Sequence, residues 1–446
     1  MLKNTSHSLE EACLDHEDLN CNEILDICPN LKRLRFIKRN LGGYPVRAQR
    51  QPERQRQVKL QAEPQHSSLT SFYLNTELEY GMQDIETTVQ RLINLQEINI
   101  NISSFNLDSL CLVHKYGSKE LRHISINARP DQYSYDMESE YDNNSIDTSR
   151  YDYTIDVHNC QYVTASLLLQ LVNHSVNMKQ KIEAISLCPE TDSALDDWSA
   201  FKYFTSPCLR YIKFSFNKQT EELFANVIRN CPTLEVVNIF RLICSPTNIT
   251  MDALKMLPVL QSFSIGNWGE EVYRCGPDTR SYSTDINDTV IRDFFTYHTL
   301  LDKHSTLQEV RLRYISNLEP ETYSTLFKIK SLKSLNFGGL YLTEEQSIYP
   351  FINGPEEFLL PSQLEMLVLD DLAEIDDDYI SSLDFPTMVL LNMSCLSTAG
   401  LIGMVENAKK LKRLIVNRWD DNWVNLHDIP PAELEDCMKR NKIQFN

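Results

Sequence analysis

One six-residue frame, Leu-x-x-apolar-x-apolar, recurs along this 446-residue chain and limits what it can fold into. Three consecutive copies set it out: CLRYIKF from Cys208, CPTLEVVNI from Cys231 and LPVLQSFSI from Leu257, with frame leucines Leu209, Leu234 and Leu260. The interval is about 26 residues, long enough for a short strand and a helix that brings the chain back. Within a frame the first, fourth and sixth side chains point into the unit while the third and fifth point away. One such unit cannot bury its own apolar face, so neighbouring copies must stack.

The frame also begins at Leu31, Leu69, Leu95, Leu121, Ile182, Leu307, Leu332, Leu364, Met388 and Leu411, which makes about thirteen turns. Intervals of roughly 23 to 32 residues, wherever nothing is inserted, are tighter than a chance scatter of leucines. The expected fold class is α/β, a single solenoid over residues 31–416 with parallel strands on a concave sheet and helices outside. A helical cap is expected at 1–30 and a second cap at 417–446.

Cysteine placement narrows the comparison. Cys28-Pro29-Asn30-Leu31 and Cys231-Pro232-Thr233-Leu234 set Cys-Pro just before the frame leucine, and Cys208 directly precedes Leu209. The pattern resembles the cysteine-containing leucine-rich repeat of F-box proteins, the substrate receptors of cullin-type ubiquitin ligases. The resemblance runs from about Leu31 to Val416 and implies a horseshoe-shaped leucine-rich-repeat solenoid. It further implies a protein client on the concave face, and a Skp-family adaptor and a cullin as partners. The F-box itself is not recognised. NEILDICPNL (Asn22 to Leu31) shares only a Glu-Ile-Leu segment with it, and Leu9 to Cys28 reads as a helix forming the back half of a turn. The alternative is a ligase-independent scaffold or regulator of the same fold.

Composition excludes several classes. With 42% apolar and 24% charged residues the chain reads as an ordinary soluble globular sequence. No apolar run approaches the ~18 residues of a membrane span, and SLLLQLV (Ser166 to Val172) reads as a buried helix. The first thirty residues carry no basic-then-apolar leader, so the expected location is cytoplasmic or nuclear. The twelve cysteines form neither Cys-x-x-Cys pairs nor zinc spacings, so no disulfide framework, metal or other cofactor is expected. A net charge of −19 argues against nucleic acid as a partner.

Three insertions stretch the repeat. Residues 40–67 hold Arg47, Arg50, Arg54, Arg56 and Lys59 among Gln and Pro, and read as a solvated basic loop. Residues 129–156 are rich in Asp, Glu and Tyr and read as a mobile acidic loop leaving one rim. Residues 266–285 carry Trp268, either an anchor at the edge of the binding face or a local cap. Further on, DTVIRDFFTYHTLL from Asp288 reads as a helix with an Asp N-cap, and Pro320 opens the next one. The acids of DDLAEIDDDYI (Asp370 to Ile380) suit a helix start without a metal. Trp419, Trp423, Ile429, Leu434 and Phe445 are the expected lids of the C-terminal cap.

No phosphate-binding glycine loop, nucleophile elbow or His-Glu-x-x-His occurs, so the chain does not read as an enzyme. His158 with Cys160 lacks an orienting group, and Cys111-x-x-His114 reads as helix packing. Function is expected on the concave face, at the third and fifth frame positions. These include Arg33, Arg35, Tyr73, Glu97 and Asn99 in early turns. Two features stand out. One is a mid-chain aromatic and basic cluster of Tyr211, Lys213, Phe240 and Arg311, with Arg313 beside it. The other is an apolar strip of Met366, Val368, Leu390 and Ile415.

Overall fold

Frame leucines anchor most turns. Leu31, Leu69, Leu95, Leu209, Leu234, Leu260, Leu307 and Leu332 are 0% exposed in the computed structural model. It describes residues 8–15, 21–38, 65–76, 82–102, 118, 120–128, 146, 149–158, 181–188, 204–216, 218, 220–242, 244–266, 286–313, 315, 318–338, 360–370, 372, 375, 377–391, 396–417 and 432–445. The chain forms two compact units, Met1–Tyr211 and Ile212–Asn446.

In the first unit the strands are β1 (Glu11–Asp15), β2 (Arg33–Lys38), β3 (Ser71–Thr76), β4 (Glu97–Ile102), β5 (His123–Ala128), β6 (Thr154–His158) and β7 (Ala184–Cys188), each parallel to its sequence neighbour. Helices α1 (Cys21–Ile27) and α2 (Met82–Arg91) follow β1 and β3. The second unit takes up the chain within β8 (Tyr211–Phe216). It continues through β9 (Val236–Leu242), β10 (Ser262–Gly266), β11 (Glu309–Arg313), β12 (Ser334–Gly338), β13 (Met366–Asp370), β14 (Thr387–Leu391), β15 (Arg413–Asn417) and the short β16 (Gln444–Phe445). From β9 to β16 every pairing is parallel and between sequence neighbours. Between these strands run α3 (Glu221–Asn230), α4 (Asn248–Lys255), α5 (Asp288–Leu301), α6 (Pro320–Phe327), α7 (Asp377–Ser382), α8 (Thr398–Asn407) and, before β16, α9 (Ala432–Asn441). Parallel strands taken in chain order, with helices in the described connections between them, define an α/β leucine-rich-repeat solenoid.

Register is fixed by one repeated hydrogen-bond fork. The carbonyl of the second frame residue accepts two N–H groups from the next strand: Glu10 from Lys32 and Arg33, Lys32 from Thr70 and Ser71, Thr70 from Gln96 and Glu97. The Cys-Pro pair has a related job. Cys28 closes α1 through Ile24, and its carbonyl accepts the N–H of Leu31 at 3.2 Å; Cys231 does the same between Ile228 and Leu234. Leu92 and Ile329 occupy the equivalent turn before Leu95 and Leu332, so a buried aliphatic side chain serves as well as the thiol.

Helices cover the face that carries the fourth and sixth positions. Phe263 meets Phe294 of α5 with centroids 4.8 Å apart, Phe214 stacks on Phe224 of α3 at 5.2 Å, and Phe337 lies against Tyr323 and Phe327 of α6. Among the described residues no aromatic contact of this kind ties a helix to the other, helix-free face, which carries the third and fifth positions.

Adjacent helices are linked by acids in a second repeated device. Glu221, in the first turn of α3, accepts from the N–H of Thr247 at 2.7 Å and from the hydroxyls of Thr247 and Thr250, at the start of α4. Asp288 of α5 accepts from the N–H of Glu319 at 2.8 Å and from Thr322 Oγ1 of α6. Asp377 of α7 accepts from the N–H and hydroxyl of Ser397, the N-cap of α8. Each carboxylate thus receives unfilled donors at the next helix start, where the helix dipole also favours it. The N-cap of α5 is Asn287 instead of the expected Asp288, which caps its neighbour.

Several expectations shift. Residues 11–15 form a strand where a helix was expected, because Leu9, Ala12 and Leu14 complete a frame of their own. The acidic insertion ends earlier than residue 156, since Thr154 to Asp156 lie in β6; the first position of that frame holds Asp152, which hides the turn from a leucine search. The turn read from Met388 starts three residues earlier, at Phe385: Leu367 pairs with Met388, and the Pro386 carbonyl accepts from Lys412 and Arg413. In the basic insertion only 65–67 are described; His66 is buried there, its Nε2 3.0 Å from the Cys28 carbonyl oxygen. The helix expected over 160–178, Cys111, His114, Cys160, Trp268, Trp419, Trp423 and Ile429 lie outside the described residues.

Candidate functional site

The helix-free sheet face is open at one end of the first unit and closed at the other. Over β1 to β4, Glu11, Arg33, Arg35 and Glu97 are exposed, with Tyr73 and Asn99 half-buried among them. Arg33 Nη1 donates to Glu11 Oε1 at 3.1 Å, a water-screened pair. Arg35, itself exposed, lies with its guanidinium carbon 4.7 Å from the centre of the Tyr73 ring, a cation–π distance. His123 of β5 is half-buried, with Nδ1 3.1 Å from Thr154 Oγ1. Burial holds its pKa below the ordinary value, assisted by Arg122 and opposed by Glu97 and Asp152.

On β6 and β7 the same face is buried: Thr154, Asp156, Ala184 and Ser186 are 2% exposed or less. Ile146, from the acidic insertion, lies here with Tyr151 and Ala184, and Tyr211 packs against the group. The Ile146 N–H donates to Asp156 Oδ2 at 3.0 Å. Tyr151 and Tyr211 have ring centroids 5.8 Å apart, and Arg150 and Arg210 lie 5.7 and 5.6 Å from the Tyr151 ring. At this residue, therefore, the insertion lies on the sheet and does not simply leave a rim.

In the second unit the expected cluster separates. Lys213 is 2% exposed and Phe240 5%, with Nζ 4.6 Å from the ring centre, so both are buried and neither is a solvent-facing anchor. Arg311 remains partly exposed; its Nε donates to Glu309 Oε1 at 2.8 Å while Ser262 Oγ donates to Glu309 Oε2 at 2.8 Å. Arg313 pairs with Asp370 two strands away.

The apolar strip is corrected in two ways. Leu390 is 0% exposed and pairs in register with Leu369, which places it at the sixth frame position, in the core. The row on the helix-free face is Val368, Val389 and Ile415, and all three are buried; only Met366 keeps partial exposure. A three-residue shift in reading that frame, an odd number, put Leu390 on the wrong face, and burial closes the rest to solvent.

Among the described residues no group of His, Cys, Asp and Glu is arranged to hold a metal ion, and no helix is long and apolar enough to cross a membrane. Among the described residues Cys13, Cys28, Cys208, Cys244 and Cys437 are free thiols. Burial raises the pKa of Cys28, and burial with the nearby Glu221 raises that of Cys244. Both shifts favour the protonated, less nucleophilic thiol at Cys28 and Cys244.

No protein-family model matches the sequence, and no curated protein is similar enough to match. Among solved structures, the chain is similar to the Rad7 and Elc1 complex of yeast at 15% identity, over 74% of this chain and 77% of that one, with a TM-score of 0.42. It is also similar to the leucine-rich repeat-containing protein LegL7 of Legionella pneumophila at 9% identity, over 84% and 98%, with a TM-score of 0.40. A third is the TLR13–ssRNA13 complex, at 14% identity over 89% and 57%, with a TM-score of 0.34. At these scores the likenesses carry no functional inference.

Proposed function

We propose that this chain is a non-enzymatic protein-binding module whose client lies on the helix-free sheet face. The supporting observation is the open stretch over β1 to β4, where Arg33, Arg35, Tyr73 and Glu97 project from a sheet locked in register. Strands ~4.8 Å apart present these side chains at fixed intervals, which suits an extended protein surface better than a small molecule. A planar arginine backed by a tyrosine ring offers two parallel donors to a carboxylate at little entropic cost. In the second unit Arg311, Arg313 and Met366 are further contact candidates, with Tyr211 at the unit boundary and Trp268 as an anchor after β10.

The finer reading is substrate recognition for a cullin-type ubiquitin ligase, with a Skp-family adaptor and a cullin as partners in the cytoplasm or nucleus. It is supported by the Cys-Pro pairs at Cys28 and Cys231, which stand at equivalent places in two turns. The second reading, a ligase-independent scaffold, keeps the same face and drops the adaptor.

The test is affinity purification of the tagged full-length chain from its own cells, beside Arg35→Glu and Arg311→Glu variants made separately. A partner lost with either variant supports the binding face. An adaptor and cullin recovered with wild type and both variants support the ligase reading, and a variant-sensitive partner without them supports the scaffold. If no partner responds to either charge reversal, the proposed face is wrong.

A further inference from the structure

The acidic insertion has almost no aliphatic side chains. Between Arg129 and Tyr153 its only Val, Leu or Ile is Ile146. That one residue is 6% exposed and lies on the sheet face with Tyr151 and Ala184. Beneath it Asp156, a carboxylate on the fifth frame position, is 2% exposed and accepts the Ile146 backbone N–H at 3.0 Å. A carboxylate in the middle of a sheet is costly to bury unless it receives hydrogen bonds, and a backbone N–H from an overlying segment supplies one. Arg150 and Arg210 flank the Tyr151 ring at the border of the group.

The combination is that of a peptide site: one buried acceptor for a main-chain N–H, and one apolar seat walled by Tyr151, Ala184 and Tyr211. Interior packing alone would need the aliphatic side chain and not the charged acceptor. We propose that the face over β6 and β7 is a docking site for an extended peptide that offers an aliphatic residue and its N–H to Asp156, and that Ile146 occupies this site in cis. This rests on the reading of the sheet face as a client surface, and it names the client class there as a short segment with an aliphatic residue between polar neighbours, as Ile146 has in Ser145 and Asp147.

The test uses the full chain and a fluorescent peptide with the sequence of residues 142–150, DNNSIDTSR, followed by anisotropy. In wild type the seat is filled and the peptide binds weakly. Ile146→Asp, which sets a carboxylate beside Asp156, empties the seat, and binding is expected to strengthen at least tenfold; the same peptide with aspartate at its centre is expected not to bind. Asp156→Asn added to that variant is expected to remove most of the gain. Ile146→Ala provides a milder vacancy, with a gain of a few fold. A folded variant, judged by circular dichroism and a cooperative melt, that binds the peptide no better than wild type overturns the proposal. So does failure of both variants to fold, which would make Ile146 plain core. Peptide binding is independent of the Arg35 and Arg311 variants, so this proposal and the reading of the open face fail separately.

Discussion

Arg313 pairs with Asp370 across an entire intervening strand. The two residues share a register row, Arg313–Gly338–Asp370, on β11, β12 and β13. Gly338 eases the crossing: a Cβ there would stand 3.1 Å from Arg313 Nε and 3.2 Å from its Cγ, so the arginine would have to give by a few tenths of an ångström. Asp370 is 3% exposed and Arg313 19%, so the carboxylate end of the pair is shielded from salt and water while the arginine keeps partial exposure.

Removing the arginine side of that pair leaves a buried carboxylate without its cation. Arg313→Met is expected to lower unfolding free energy by about 3 kcal/mol in urea titrations, and the double change with Asp370→Leu to recover much of it. Equal losses in the single and double variants would show that the pair is not the source of the cost.

Leu390 discriminates between the two ways of reading its turn. As a core residue, 0% exposed, Leu390→Ala is expected to cost about 3 kcal/mol, while the half-buried Met366→Ala costs less than about 1. Similar small effects at both positions would restore Leu390 to the surface.

The helix links predict a cost at Asp377. Its carboxylate accepts two hydrogen bonds from Ser397, and Gly400 leaves the space, since a Cβ there would lie 2.1 Å from Asp377 Oδ1. Asp377→Ala is expected to destabilise by about 1 to 2 kcal/mol, and Gly400→Ala by a similar amount through displacing the same carboxylate. Made in the Asp377→Ala background, Gly400→Ala should then cost much less. Strict additivity in chemical denaturation would contradict the link.

His298 supplies a pH dependence. It is 3% exposed on α5, with Nδ1 3.1 Å from Ser305 Oγ and its ring against Phe294. Burial, with a smaller contribution from Lys255, brings its pKa from 6.5 down to about 4. The unfolded chain therefore takes up a proton near pH 6.5 that the folded one refuses until about pH 4. The stability this neutral histidine allows is full above pH 6.5 and falls between 6.5 and 4, by about 3 kcal/mol in all. His298→Gln should remove that slope from the pH profile of the urea midpoint; parallel profiles for variant and wild type would refute the assignment.

The sequence revealed the repeat because its signal is redundant: thirteen frames set one pattern, and a defect in any copy is outvoted. The turns it hid are those where the defect falls on the first position. Asp152 stands there before β6 and Phe385 before β14. The strand at Glu11–Asp15 was legible in Leu9, Ala12 and Leu14, but its alternation of acid and apolar residues was read with a helical period. The face was harder. Frame position tells which side of the sheet a residue occupies, not whether that side is covered, and Lys213, Val368 and Ile415 are buried on the expected side. Ile146 gave no periodic signal at all, being a single aliphatic in a polar insertion; only its isolation marked it.

The acids that join successive helices give the second unit a direction. Glu221, Asp288 and Asp377 each belong to the earlier helix and serve the later one. If the earlier helix melts, the later one loses an acceptor at its most exposed amides. If the later helix melts, the earlier one merely releases a carboxylate into water, where it is well solvated. Damage should therefore spread more readily toward the C-terminus than away from it, as in a line of roof tiles pinned only along their upper edges.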